Sequence, residues 1–329
     1  FKCRSLKYGS CFALNEDATM KFGILGDAKI SRNQVIPAIR AAGHDLIQLG
    51  RRDPSVPSTD PIYTDVLQTD YAAVLANPDI DIIYNPLPNH LHVPWSVRAL
   101  QAGKHVLCEK PAAYSMADLD KLEAAAKASG KYFYEAYMIR HHPQWNWIAN
   151  VDLGHKSVLH TAFTYPEREP GNIRNFAAFG GGPLLDIGCY AVMAGILIFG
   201  TTAPQSLQSV VVLDPAHDVD CMVSGLLIWP DNQHLTFTVA SNAGPMQSLQ
   251  LAGIKGYARL DIPFNPGAVA TASLNRGVLG EDERISFPAC NQYQIMIENF
   301  VSAIQMDSKP DFKISRIVTE TLIKLRGNL

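Results

Sequence analysis

The chain has 329 residues, 47% of them hydrophobic and 18% charged, with a formal net charge of -3. That length suits about two globular domains with sizeable cores, and the small negative charge argues against nucleic acid or an anionic membrane as a general partner. The most apolar stretch, Ile187 to Phe199, is shorter than the ~20 residues a spanning helix needs, so no membrane segment is expected.

Residues 1–19 lack the apolar centre of a secretory signal. They read as a leader or extension ahead of Met20; the alternative is an arm that wraps a partner subunit. From Met20 the pattern is strand, glycine turn, helix. Phe22 to Leu25 is a short apolar run, it breaks at Gly26, and helical spacing begins near Ile30 and continues through Val35, Ile36 and Ile39. This is the context of a dinucleotide-binding turn, in which glycine supplies free φ and the helix start faces a pyrophosphate. The match to G-x-G-x-x-G is partial: Gly26, Ala28 and Ser31 occupy the three glycine positions.

Asp45 to Leu49 reads as a second strand and ends in Gly50-Arg51-Arg52-Asp53. An acidic residue at this strand end would hold the 2′-hydroxyl of NAD; two guanidinium forks suit the 2′-phosphate of NADP instead. Thr64 to Leu75 reads as a helix with Asp65 near its start, and Ile80 to Tyr84 as a buried strand. That strand runs into a proline-stiffened loop, Pro86-Leu87-Pro88-Asn89, at the carboxyl edge where open α/β sheets bind ligands. Then follow a helix from Val93 to Ala102, a strand from His105 to Cys108, a helix from Ser115 to Ala128 and a strand from Lys131 to Ala136. Strict β-α alternation predicts a doubly wound parallel sheet, and residues 20–139 are expected to form an NADP-binding domain.

The pattern then changes. Strands are expected at 158–165, 206–213, 219–229, 234–241, 249–253 and 257–262, mostly without helices between them. Residues 140–329 therefore read as an α+β domain with a large, mainly antiparallel, open sheet. One helix interrupts it, Pro183 to Phe199, after Gly180-Gly181-Gly182, and two helices close the chain, Gln292 to Gln305 and Ser315 to Leu325. Such a sheet has two faces to cover, so its open face is expected to pair with another subunit. The six cysteines form no C-x-x-C pair, which favours reduced thiols and a cytoplasmic setting.

Three residue types stand out chemically. Lys110 follows a strand end and precedes Pro111, which restricts it to an extended conformation and aims its ammonium. Asp186 and Tyr190 are four apart on one helix and share a face. A tyrosine can exchange a proton if a nearby cation lowers its pKa, and salt-bridged or core roles for the same residues are the alternative. His90, His92, His141 and His142 lack a carboxylate–histidine set at metal-ligand spacing, and no metal is expected.

Together G-I-L-G-D-A-K-I-S, P-L-P-N-H-L-H at 86–92, H-V-L-C-E-K-P at 105–111, E-A-Y-M-I-R-H-H-P-Q at 135–144 and G-G-G-P-L-L-D-I-G-C-Y at 180–190 resemble the glucose-fructose oxidoreductase / inositol dehydrogenase / MocA family. The resemblance runs in order through nearly all of 20–329. It implies a Rossmann domain followed by a domain whose open sheet makes a homodimer or homotetramer. The chain is similar to the branch of NADP-dependent D-xylose dehydrogenases, dimeric dihydrodiol dehydrogenases and glucose-fructose oxidoreductase, which carries tyrosine where inositol dehydrogenases carry a second catalytic histidine. By motif match Lys110, Tyr190 and Asp186 become the catalytic set. The implied cofactor contacts are Gly26, Asp27, Ala28, Lys29 and Ile30 in the first turn and Arg51 and Arg52 after the second strand. Leu87, Pro88, Asn89 and His92, with Glu109, Lys110 and Arg140, complete them; His141 departs from the usual phenylalanine after that arginine. Substrate contacts are expected from Lys110, Asp186 and Tyr190 and from loop residues Tyr165, Arg168, Asn172 and Arg174. The expected activity is hydride transfer between NADP and a sugar or cyclic polyol, in the manner of an aldose 1-dehydrogenase; NAD is the second choice of cofactor. The alternatives are a ketone or dicarbonyl-sugar reductase and a non-catalytic NADP-binding regulator.

Overall fold

β1 (Lys21–Leu25) is buried from Phe22 onward, as a strand between two helical layers must be. The computed structural model describes residues 19–166, 169–267 and 269–327; the readings of residues 1–18 and of Arg168 fall outside them. β1 lies at the centre of a six-stranded parallel sheet in the order β3-β2-β1-β4-β5-β6. The other strands are β2 (Asp45–Arg51), β3 (Leu67–Asp70), β4 (Ile82–Asn85), β5 (His105–Cys108) and β6 (Phe133–Glu135). The helices between them are α1 (Ile36–Ala41), α2 (Tyr71–Ala76), α3 (Asn89–Gln101) and α4 (Met116–Ser129). α4 starts on Ser115, whose side chain accepts from Asp118 N, and stops at Gly130, which is left-handed at φ 66°.

Two sequence readings change here. Thr64 to Leu75 is not one helix but a turn at Pro61–Tyr63, then β3, then α2. β3 adds to the free edge of β2, with Gln48 opposite Leu67 and Arg51 opposite Asp70, so tertiary pairing overrides a weak helical period. α3 begins at Asn89 rather than Val93, entered from Pro88 in extended conformation. Asn89, His90 and His92 thus stand on the first turns of a helix and not in a loop.

The second sheet has eight strands in the order β14-β13-β12-β11-β7-β10-β9-β8. They are β7 (Lys156–Thr164), β8 (Ser206–Leu213), β9 (Asp220–Trp229), β10 (Gln233–Ala240), β11 (Met246–Gly253), β12 (Gly256–Leu260), β13 (Thr271–Asn275) and β14 (Asp282–Ser286). Only β7 and β10 pair in parallel; the other pairings are antiparallel. β13 and β14 were not legible in sequence because they lie at the polar end of the sheet, where β14 buries no residue. α5 (Pro143–Asn150), whose first turn is capped by His142, is likewise an addition.

One face of this sheet is core. Leu159, Leu227, Leu235, Phe237, Leu249 and Leu251 are buried beneath α5 and α6 (Cys189–Phe199). α6 packs so closely that Gly195 touches the indole of Trp229. The opposite face carries Val158, 52% exposed, and Val210, 71% exposed. The helical run that ends in α6 spans Ala177–Phe199, longer than the sequence reading allowed. By length and composition it could cross a membrane, yet 78% of its apolar window is buried inside the protein. Short turns ahead of α6 lengthen the run, and the sheet explains its apolarity. α7 (Gln292–Gln305) and α8 (Lys313–Arg326) return to the first sheet. Ser315 on α8 donates to Glu135 at the end of β6, and Arg316 pairs with Asp120 on α4. Cys108, Cys189, Cys221 and Cys290 are free thiols.

Candidate active site

The crevice opens where β1 is flanked by β2 on one side and β4 on the other, the point at which strand order reverses. Gly26 turns the chain at φ +87° and donates its N–H to Gly50 O at 2.8 Å. A Cβ there would lie 2.9 Å from Leu87 Cδ2, so only glycine lets the turn and the Leu87 loop approach. The helix that follows begins with a π-turn, Ser31–Val35.

Asp27, in the turn, gathers cations. It pairs with Arg32, accepts from Arg51 Nη1 at 3.1 Å and from Tyr63 Oη at 2.9 Å. Burial opposes its ionisation, but the hydrogen bonds of Arg32, Ser58, Tyr63 and Arg51 hold the carboxyl below its usual range. Arg51 Nε and Ser31 Oγ are buried with no hydrogen-bond partner. These orphaned donors, beside a glycine cradle at a helix start, fit a phosphate-bearing dinucleotide. A cavity of about 390 Å³ lies over this end, lined by Gly26, Asp27, Arg51, Arg52 and Tyr71.

A second cavity, of about 1020 Å³, continues it and shares Leu87, Pro88, Ile173 and Phe179 as walls. Ala28, Lys29, Ile30, Asn89, His92 and Glu109 line the near part, and Lys110, Tyr165, Asp186 and Tyr190 the far part. His92 is buried with Nδ1 2.8 Å from Pro111 O and Nε2 2.6 Å from Leu87 O. Burial pushes its pKa down to about 4, and the neutral ring, with one N–H, donates to one of these carbonyls and packs against the other, between the Lys110 loop and the Leu87 loop. Glu109 is likewise engaged: Tyr84 Oη donates to it at 2.8 Å, and burial raises its pKa despite Lys110 and that bond.

At the far end two domains meet. Lys110, at the end of β5, donates to Asp186 O at 2.5 Å and lies 3.6 Å from Asp186 Oδ1. Asp186 sits inside a second π-turn, Leu184–Gly188, at the start of α6; such turns gather at functional sites. Asp220 from β9 accepts from Leu184 N at 2.7 Å and anchors that turn. A further ion joins the group, Arg174 Nε, 2.9 Å from Asp186 Oδ2. Tyr190 projects one turn further on, its hydroxyl donating to Met138 Sδ at 3.3 Å. The ammonium of Lys110 lies over the Tyr190 ring, 4.8 Å from its centroid, rather than beside the hydroxyl. The sequence expectation that Lys110 lowers the tyrosine pKa is therefore not met in this geometry. Burial dominates and raises it well above the usual 10, so Tyr190 is held as a neutral phenol.

Some expected residues lie elsewhere. Arg140 is outside both cavities, exposed, with its guanidinium over the Tyr134 ring. The 3-10 turn that carries it, Met138–His141, points it outward. Asn172 does not line the cleft either; its side chain caps the turn at Ile173–Asn175. His141 is half-buried and lies outside both cavities, between Tyr134 Oη at 2.8 Å and Asn299 Nδ2 at 2.9 Å. Among the described residues no group of three or more His, Cys, Asp and Glu is arranged to hold a metal ion. Sequence reasoning missed Gln247, Asn265 and Tyr293, which also line the larger cavity. They come from β11, a connecting loop and the first turn of α7, and nothing in their local sequence sets them apart.

Residues 20–137 match the model of an oxidoreductase family with an NAD-binding Rossmann fold, GFO/IDH/MocA. Residues 145–259 match the C-terminal domain of the same family. An uncharacterised oxidoreductase of Rhizobium meliloti is 33% identical over 88% of this chain and 90% of its own length. A D-xylose 1-dehydrogenase (NADP(+)) of Haloferax volcanii is 29% identical over 88% of this chain and 91% of its own. A 3-ketoreductase from Actinomadura kijaniata, crystallised with NADP and TDP-benzene, superposes with a TM-score of 0.85 at 26% identity, covering 94% of this chain and 97% of that one. The chain belongs to the GFO/IDH/MocA oxidoreductase family.

The half-buried setting of His141, between Tyr134 and Asn299, makes a test of the site's boundaries. Desolvation and the neighbouring Arg140 push its pKa down to about 3. Because the folded pKa lies below the ordinary value, the imidazole stays neutral throughout the range in which a free histidine titrates. The His141 ring resonances are expected to stay constant between about pH 8 and 5 in an NMR titration; a midpoint near 6.5 would place the ring in solvent.

Proposed function

We propose that this oxidoreductase binds NADP along the two joined cavities and acts on a sugar or cyclic polyol held against Lys110, Asp186 and Tyr190. The observation that carries the reading is the meeting of those three side chains at the wall of one cleft, although Lys110 follows a strand of the parallel sheet and Asp186 and Tyr190 stand on the helical run packed against the second sheet. The NADP-dependent xylose dehydrogenase and the NADP-bound 3-ketoreductase among its relatives support the same cofactor. The Gly26–Ile30 turn would take the pyrophosphate, and Arg51, with its unpaired buried Nε, and Arg52 the 2′-phosphate. When bound, NADP supplies a two-electron acceptor or donor for a carbinol or carbonyl carbon.

The side chains then divide the work. Asp186 anchors the Lys110 ammonium; Lys110 orients the reacting oxygen and stabilises negative charge on it. Tyr190 exchanges the proton of that oxygen. In oxidation it must first become a phenolate and accept the proton, as an aldose 1-dehydrogenase requires. In reduction it donates from the neutral state. The 3-ketoreductase among the similar structures supports this second reading, reduction of a keto sugar. Steady-state screens in both directions, NADP with aldoses and polyols and NADPH with keto sugars, decide between them. We also propose that the open face of the second sheet, with Val158 and Val210 exposed, is covered by another subunit.

Four outcomes are expected. Tyr190→Phe keeps the ring and loses the proton, and should lower kcat by about 100-fold or more with little change in NADP affinity. Lys110→Ala should cost as much, and Lys110→Arg should not restore it. A Tyr190→Phe enzyme near the wild-type rate would make the tyrosine a core residue. The double change Arg51→Ala/Arg52→Ala should shift the ratio of NADP to NAD affinity by about 100-fold, two charge-assisted contacts being lost; fluorescence titration with an unchanged ratio would remove the arginines from the cofactor site. Light scattering is expected to give a dimer or tetramer at micromolar concentration, and a monomer would contradict the covered face.

A further inference from the structure

Between β7 and the Leu184–Gly188 turn the chain forms a strap over residues 172–182. Its two short turns, Ile173–Asn175 and Ala177–Phe179, bury no residue. A segment without a core is held by its ends and by what it lies on. The end next to the Asp186 turn is rigid. Gly182 N donates to Arg174 O at 2.9 Å, and Gly181 approaches so closely that a Cβ would lie 2.3 Å from the same oxygen. Its underside rests on the first turn of α3. Asn89 Nδ2 donates to Gly180 O at 2.8 Å, and Phe179 stacks on His90 with centroids 4.9 Å apart.

Ile173 and Phe179 are walls of both cavities, yet they remain 41% and 37% exposed. Apolar side chains left over a groove are withdrawn from water when the groove fills, which favours the covered arrangement. The same strap carries Arg174 to Asp186, 2.9 Å from Nε to Oδ2, and Asp186 holds Lys110. One guanidinium thus joins the roof of the groove to the residue that aims the lysine. Among the described residues the charged or titratable groups around Asp186 and Arg174 include Glu109 beside Lys110, Tyr165, Tyr190 and Cys189 on the helix of Asp186, and Asp220 from β9.

We propose that Arg174 is a positioning residue that couples filling of the groove to the setting of Asp186 and Lys110. With a dinucleotide beneath it the strap is pinned and Arg174 stays on Asp186; with the groove empty that ion pair opens more readily. This rests on the reading of the groove as an NADP site.

The test compares the full chain with Arg174→Gln and Arg174→Lys. It uses hydrogen exchange with and without NADP, and kinetics on whichever substrate the screens identify. NADP is expected to slow exchange across 172–182 in all three proteins. Protection of Leu184 to Tyr190 is expected in the wild type, partly in Arg174→Lys and not in Arg174→Gln. The glutamine variant should lose about tenfold in kcat with less than about threefold change in NADP Kd, and the lysine should recover part of it. Wild-type kcat and wild-type protection of Leu184 to Tyr190 in Arg174→Gln would overturn the coupling and leave the cofactor reading standing. A weaker NADP Kd at unchanged kcat would also overturn it, making Arg174 a simple binding residue. A wild-type protein that binds no NADP and shows no strap protection would remove the cofactor reading and the coupling together.

Discussion

The carboxylate of Asp186 is the point on which both halves of the molecule converge. Lys110 reaches it from the parallel sheet and Arg174 from the strap, while its own turn opens α6 beneath the second sheet. Lys110 and Asp186 are only 11% and 14% exposed. At 3.6 Å their gross attraction is about 5 kcal/mol for an effective dielectric of ~20, but desolvating both ions offsets much of it. The pair is therefore better understood as fixing direction than as stabilising the fold. An ammonium that also hydrogen-bonds a main-chain carbonyl has little freedom left, and it is held at the cleft wall beside Tyr190.

The near end of the groove applies the same logic with opposite emphasis. There Asp27 is surrounded by Arg32, Arg51 and Tyr63 and keeps its negative charge. Arg51 is thereby held in place by one nitrogen while another, Nε, has no partner. A preorganised guanidinium loses less freedom on meeting an anion than a mobile one does. The two ends are joined by His92, whose ring touches a carbonyl on the Leu87 loop and another beside Lys110.

Both π-turns lie beside the cleft. One follows the Gly26 turn and the other contains Asp186. A π-turn adds a residue to a helix and re-aims the side chains around it. In the second, Asp220 and Gly182 pack so tightly that a Cβ on the glycine would lie 2.0 Å from a carboxylate oxygen. The G-G-G run before α6 is accordingly a steric requirement of the site and not a flexible linker.

The sequence by itself determined the architecture: a parallel sheet from strict β-α alternation, then a mainly antiparallel one, with nearly all helices and strands in their places. Local periodicity and the turn residues Gly26, Ser115 and Gly130 carry that information because they act within a few residues. It also marked Lys110, Asp186 and Tyr190, since motif spacing survives in one dimension. Only the tertiary structure decided what those residues do to one another. Residues 64–75 became strand and helix because the edge of β2 was free to pair. Arg140 turned outward, Arg174 came onto Asp186, and Tyr190 stayed protonated under burial by chains far away in sequence. Charge pairing and desolvation depend on distances in space, and a sequence lists neighbours only along the chain.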